Sequence, residues 1–196
     1  MINEIEKSRA DTVQFFNPNS LLPGSEELSY SPTHNFFLKS TNYRQSHPNR
    51  NWIVTKIEIY QTFENKKIFE FLRNYDTNWH CWINQNGNEY LVCSEDFEGQ
   101  SVFDLTTMKF YSFFSPSSPF ILVEYIPSPD NLKLAVVGCY WACGYELVIY
   151  DISNITQLPF REFRREEINE KSKKWINNST FYLIDNDNGE KEILCD

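Results

Sequence analysis

Two stretches of this chain follow one plan, and a chain that repeats itself at a fixed period folds as a row of similar units. SPTHNFFLKSTNYRQSHPNRNWIVTKIEIYQTFENKKIFEFLR begins at Ser31, and SPDNLKLAVVGCYWACGYELVIYDISNITQLPFREFRR begins at Ser128. Each opens on Ser-Pro and a polar turn, then continues as an apolar strand, Phe36 to Ser40 in the first and Leu132 to Gly138 in the second. A loop follows, then an alternating strand ending in Ile-Tyr (Thr55 to Tyr60; Glu146 to Tyr150), a polar turn and a last strand (Lys67 to Leu72; Leu158 to Phe163). A middle copy starts at the turn Asn84-Gln85-Asn86-Gly87 and runs through EYLVCSEDFEGQSVFDLTTMKFYSF in the same order. A truncated fourth begins at Asn177-Asn178, with STFYLI and KEILC around Asp187-Asn188-Gly189.

The four turns are spaced 53, 44 and 49 residues apart. Each turn after the first is preceded by a further apolar or aromatic strand, at Trp79 to Ile83, Phe120 to Ile126 and Lys174 to Ile176. Four strands in a unit of roughly 40 to 50 residues is the blade of a β-propeller. Helical periodicity is nearly absent: Ile2, Ile5, Val13 and Phe16 would support a turn or two, and Val13 to Phe16 reads equally well as a strand. The expected fold is all-β, a small or partial β-propeller over residues 31–196 with three recognisable four-stranded blades plus a half blade, behind an N-terminal segment 1–30. A ring needs its edges paired. The simplest closure joins the half blade Phe181 to Cys195 to a strand near Val13 to Phe16, and the alternative is an open arc that forms a homodimer through its free edge.

The run from Ser128 to Asp151, a Ser-Pro-Asp turn, an apolar strand, a loop and a strand ending Ile-Tyr-Asp, resembles a degenerate WD40-type repeat. In that family the usual Trp-Asp is often another aromatic followed by Asp, as at Tyr150-Asp151 and Phe103-Asp104, whereas Tyr60-Gln61 lacks the acid and Gly-His is missing throughout. The resemblance covers about residues 31–195 and implies a propeller that holds partners on its surface. GCYWACGYELVIYD and SEDFEGQSVFDL are also similar to strings in small uncharacterised proteins.

Charge narrows the partner. Asp and Glu number 27 against 18 Lys and Arg, a formal charge of −9, which repels nucleic acid and anionic membrane and favours a protein or peptide. No apolar run approaches the roughly 18 residues of a membrane span. Glu4 and Glu6 stand where a signal peptide needs basic residues, so the expected location is the cytoplasm, with the five Cys as reduced thiols.

In a propeller the loops between second and third strands emerge on one face. Here those loops are Thr41 to Trp52, Ser94 to Gln100 and Cys139 to Tyr145, joined by the connections around Tyr75, Asp76 and Trp79 and by Ser115 to Pro119. Tyr, Trp and Arg dominate binding hot spots. The candidate binding face is therefore Arg44, Arg50, Glu95, Asp96, Phe97, Tyr140 and Trp141, and the competing reading wedges Phe97, Tyr140 and Trp141 between blades.

Cys139 and Cys143 have a spacing that zinc sites use, with His80, Cys81 and Cys93 as conceivable further ligands. The second Cys pair is missing, Cys195 is isolated, and adjacent His80 and Cys81 would point to opposite faces of a strand. Buried inert thiols are expected, with no metal and no cofactor. Of the His residues, His34 sits in a turn and His47 in a polar loop, while Asp76, Glu95, Asp96 and Glu98 read as a solvated rim. No phosphate loop, nucleophile elbow or zinc-protease helix is present, and no catalytic residue stands out. The charged run Arg161 to Lys174 reads as a solvated connection or a short helix. The functional expectation is a non-catalytic protein- or peptide-binding scaffold. Its alternative is a small enzyme or metal-binding protein using the Cys139/Cys143 loop or the acidic loop Glu95 to Glu98.

Overall fold

Turn chemistry sets the repeat. In the computed structural model, which describes residues 4–47, 50–76, 79–96, 99–114, 120–141, 143–186 and 189–195, the two Ser-Pro turns are near copies. Ser31 N–H donates to Phe36 C=O and Ser128 N–H to Lys133 C=O, both at 2.9 Å. His34 and Asn131 take the left-handed conformation at φ 60° and 58°, which lets each chain reverse in four residues. The middle copy reverses instead through Asn86 (φ 52°) and Gly87 (φ 80°), the pair of positive φ values that a two-residue hairpin demands.

The chain divides into two compact units, Met1–Asn78 and Trp79–Asp196. The first holds helix α1 (Glu4–Phe15), a short turn of helix at Pro18–Ser20, and strands β1 (Glu27–Tyr30), β2 (Phe36–His47), β3 (Arg50–Gln61) and β4 (Lys66–Arg73). The strands form one antiparallel sheet in chain order around Leu38, Val54, Ile57 and Ile59, all fully buried.

The second unit holds three sheets. β5 (His80–Gln85), β6 (Asn88–Cys93), β7 (Gly99–Asp104) and β8 (Lys109–Phe114) form one, and β9 (Phe120–Pro127), β10 (Lys133–Tyr140), β11 (Tyr145–Asp151) and β12 (Arg161–Glu167) form the next. β13 (Glu170–Trp175), β14 (Thr180–Asp185) and β15 (Gly189–Leu194) make a three-stranded sheet.

β10 and β11 are apolar on both faces because both faces are covered. Val136, Val148 and Tyr150 pack with Ile83, Tyr90 and Val102 of the preceding sheet, while Ala135, Val137, Leu147 and Ile149 pack with Phe181, Leu183 and Ile193 of the last. Polar bridges fix the stacking: Gln85 Nε2 donates to Ile152 C=O at 2.8 Å, Asn131 Nδ2 to Asn84 C=O at 3.0 Å, and Trp175 Nε1 to Ile126 C=O at 2.8 Å.

One hydrogen bond recurs in all four sheets. The residue after the third strand donates its N–H to a carbonyl in or beside the turn before the second, as Thr62 to Asn35, Leu105 to Glu89, Ile152 to Leu132 and Cys195 to Ser179. Among the described residues the fold is thus all-β apart from α1 and a turn of helix, with three four-stranded blades and a three-stranded fourth, and no sheet closes on itself.

The acids after the aromatic residues shape the next turn. Asp104 Oδ1 accepts from Thr106 N–H and Thr107 N–H at 3.0 and 2.9 Å, and Asp151 Oδ1 accepts from Ser153 N–H at 2.9 Å. Asp104 is buried, so Asp104→Ala strands two donors; urea unfolding should show a loss of about 1–3 kcal/mol.

The structure corrects several expectations. Val13 to Phe15 is helix, and Val13 is 61% exposed, so this segment supplies no closing strand. Its polar, helix-compatible neighbours bury no strand face, and Phe16 instead meets Tyr43 edge-on at 4.9 Å. Thr41 to Trp52 is no open loop either: β2 and β3 stay paired out to His47 and Arg50. The N-terminal segment makes this extension possible, because Gln45 Oε1 accepts from Asn17 N–H and Asn42 C=O from Leu22 N–H, both at 2.9 Å. The charged run Arg161 to Lys174 forms β12 and β13 rather than a connection or helix, since β12 is an outer strand that can leave most of its charged side chains exposed. The strand expected over Leu158 to Phe163 begins only at Arg161.

Candidate interaction site

Bulge and glycine together build the site at the loop end of β10. The β9/β10 register shifts between Val137 and Gly138, and Gly138 then lies under the Phe120 ring. A Cβ there would stand 2.4 Å from Ile121 C=O and 2.6 Å from the ring, so only glycine permits the approach. Phe120 meets Tyr140 edge-on at 5.2 Å, and the Arg165 guanidinium lies over both rings, 4.7 Å from Phe120 and 5.6 Å from Tyr140. Two acids hold that cation: Glu162 takes Arg165 Nε at 3.1 Å and Nη2 at 2.7 Å, and Glu146 takes Nη1. A cation sandwiched between rings and carboxylates is fixed in place.

A hollow of about 210 Å³ opens beside this group, walled by Phe113, Phe120, Tyr140 and Phe160 with Arg165 and Glu162 at its polar side. On the opposite face of the same sheet lies a second hollow of about 330 Å³, walled by Val123, Val137, Tyr145 and Ile168. The β10–β11 loop stands between them, with Tyr140 at its root on one side and Tyr145 on the other. Trp141 projects from that loop 77% exposed, and Tyr145 is 52% exposed.

The other candidate residues fall as follows. Arg44 is exposed on β2 of the first unit, and Arg50 opens β3 opposite His47, its side chain lying outside the described residues. Tyr140 is half-buried and packs against the core between the second and third sheets, whereas Trp141 does not. Glu95 is buried, its Oε2 accepting from Ser112 Oγ at 3.3 Å, and Asp96 is half-buried. A solvated acidic rim therefore does not describe Glu95, because its N–H donates to Ser101 Oγ at 3.4 Å and its carboxylate accepts from Ser112. Phe97, Glu98 and Ser115 to Pro119 lie outside the described residues.

Cys81, Cys93 and Cys195 are buried, but Cys143 is exposed because its loop leaves the sheet. Burial, then Cys143 and Glu146, push the Cys139 thiol up, away from the thiolate that nucleophiles and metal ligands need. Among the described residues no three His, Cys, Asp or Glu side chains gather as a metal would require. Sequence reasoning missed Phe120, Tyr145 and Arg165. Gly138 inside an apolar strand was the available signal, since a strand glycine marks a close approach.

These stacked, repeating four-stranded antiparallel sheets define a β-propeller type of fold. Known structures agree: the β-propeller domain of Myceliophteria thermophila Cps50 (Swd1) superposes with a TM-score of 0.53 at 9% identity, over 100% of this chain and 56% of that one. A eukaryotic initiation factor matches with a TM-score of 0.50 at 13% identity, over 85% of this chain and 41% of that one. The chain spans about half the length of these solved structures, and at such identity the likeness concerns the fold alone. In sequence, the chain is 27% identical over 187 residues to the uncharacterised protein R762 of Acanthamoeba polyphaga mimivirus, covering 88% of this chain and 71% of that protein. No protein-family model matches.

Proposed function

We propose that this protein is a non-catalytic scaffold that binds a protein or peptide partner at the loop end of its third blade, as WD40-like repeat proteins do on their surfaces. The observation that carries this reading is Trp141, a large indole held in water between two hollows and flanked by Tyr140 and Tyr145. Exposing an indole has a solvation cost with no structural return, and exposed aromatics over preformed hollows are what hot spots are made of. The Arg165 group supplies a rigid floor on one side. A partner side chain entering beside it meets rings for contact and carboxylates for hydrogen bonding.

Affinity capture from the source cell with wild-type and Trp141→Ala baits tests the reading. The wild type should retain a stoichiometric partner, and the variant should weaken it by about 2 kcal/mol or more in a follow-up titration. A partner retained equally by both baits would move the site elsewhere.

A further inference from the structure

At about 210 Å³ the hollow beside Arg165 falls below the roughly 300 Å³ at which small-molecule sites begin, so one side chain is the scale of occupant it suits. Its walls are fixed before anything enters. Phe120, Tyr150 and Phe160 are buried, and Gln100 Oε1 accepts from Phe160 N–H at 2.7 Å, tying β7 to the turn before β12. Arg165 already lies over Phe120 and Tyr140. Among the described residues no cation lies over Phe113 or Phe160, so these two rings are the ones left for an occupant.

Charge decides what enters. Glu162 and Arg165 line the polar side of the hollow, and Glu146 backs Arg165. Two carboxylates against one guanidinium leave one negative charge. An acidic side chain is repelled there, because Arg165 is already answered twice: the two oxygens of Glu162 each accept one of its N–H groups, and Glu146 accepts a third. A carboxylate oxygen that accepts one hydrogen bond has capacity for another. The Glu162 side chain is 41% exposed, so it keeps that capacity at the edge of the hollow. Aromatic walls carrying a net negative charge are the surroundings a cation prefers.

This rests on the reading of the loop end as a binding surface; given that reading, we infer that the hollow receives one basic side chain of the partner, a lysine or an arginine. Its charged end sits on Glu162 and its apolar stem runs along Phe113 and Phe160.

Nuclear magnetic resonance titration of the full chain tests this with the peptide Gly-Ser-Arg-Ser-Gly, blocked at both ends, and with twins carrying citrulline or glutamate in place of the arginine. The arginine peptide should shift the ring signals of Phe113 and Phe160 along a saturable curve. Citrulline, the same shape without the charge, should bind about fivefold or more weakly, and the glutamate peptide should leave both rings unmoved. Glu162→Gln, which takes the net charge to zero, and Phe113→Leu, at a half-buried ring, should each weaken the arginine peptide by about threefold or more. Equal binding of the arginine and citrulline peptides, no shift at either ring, or an arginine affinity unchanged by either variant would overturn the inference. Its failure is distinct from failure of the binding role. A partner lost from the Trp141→Ala bait, alongside equal peptide binding, removes the basic side chain and leaves the binding surface. Arginine selectivity with a partner kept by that bait leaves this site and removes the Trp141 surface.

Discussion

Replacing Phe181 with alanine is expected to remove about 3–5 kcal/mol of stability, as for other fully buried aromatic residues. Phe181 has no exposed surface. It meets Trp175 edge-on at 5.2 Å within its own sheet and packs against Ala135, Val137, Leu147 and Ile149 of the third. The variant opens a cavity between the three-stranded fourth blade and its neighbour, and it unseats the Trp175 indole that donates to Ile126 C=O. Guanidinium unfolding measures the loss. A cost under about 1 kcal/mol would mean that the three-stranded sheet does not share the core of the third blade.

The second large effect is at Gly138. A methyl group there would collide with the Ile121 carbonyl at 2.4 Å and the Phe120 ring at 2.6 Å, and backbone on one side cannot swing away. Gly138→Ala should therefore cost about 3 kcal/mol, the upper end of the range for overpacking. It should also displace Phe120, loosening Arg165, so the near-ultraviolet circular dichroism of the aromatic group changes as well. Gly144→Ala is the control. A Cβ there meets nothing within 4 Å, and the backbone is not left-handed, so stability should stay within about 0.5 kcal/mol.

The repeat was legible in the sequence because both ends of each unit are written in local chemistry. Ser-Pro turns and Asn-Gly have few other conformations to adopt, and the doubly covered strands β10 and β11 read as unbroken apolar runs. What escaped were strands whose stabilisation comes from elsewhere in the chain. Thr41 to Gln45 is polar and looked like a loop, yet it pairs because the N-terminal segment satisfies Asn42 and Gln45. β12 is charged at six of its seven positions and looked like solvated linker, yet its backbone completes a sheet while its first four side chains stay exposed and Arg165 turns onto the rings. β1 (Glu-Leu-Ser-Tyr) is short and mostly exposed, so nothing in its pattern marked it.

The site was legible in part for the same reason. Trp141 and Tyr140 could be picked out by type and loop position, but which one faces water depends on the bulge at Val137/Gly138, and that irregularity leaves only a glycine in the sequence. Tyr140 packs on Phe120 and belongs to the core, while its neighbour stands free of it. Arg165 is one of several arginines in a charged run, and only the fold carries it onto the two rings. Glu95 shows the converse: an acid in an acidic loop, drawn under cover by Ser112.

Denaturant unfolding of Trp141→Ala is the most direct measurement of whether the β10–β11 loop is a recognition surface. With the indole 77% exposed, the variant should unfold within about 0.5 kcal/mol of the wild type, because truncating an exposed side chain leaves no cavity. A loss of about 3–5 kcal/mol, the range for a buried aromatic residue, would place Trp141 in the core between blades and remove the observation on which the binding function rests.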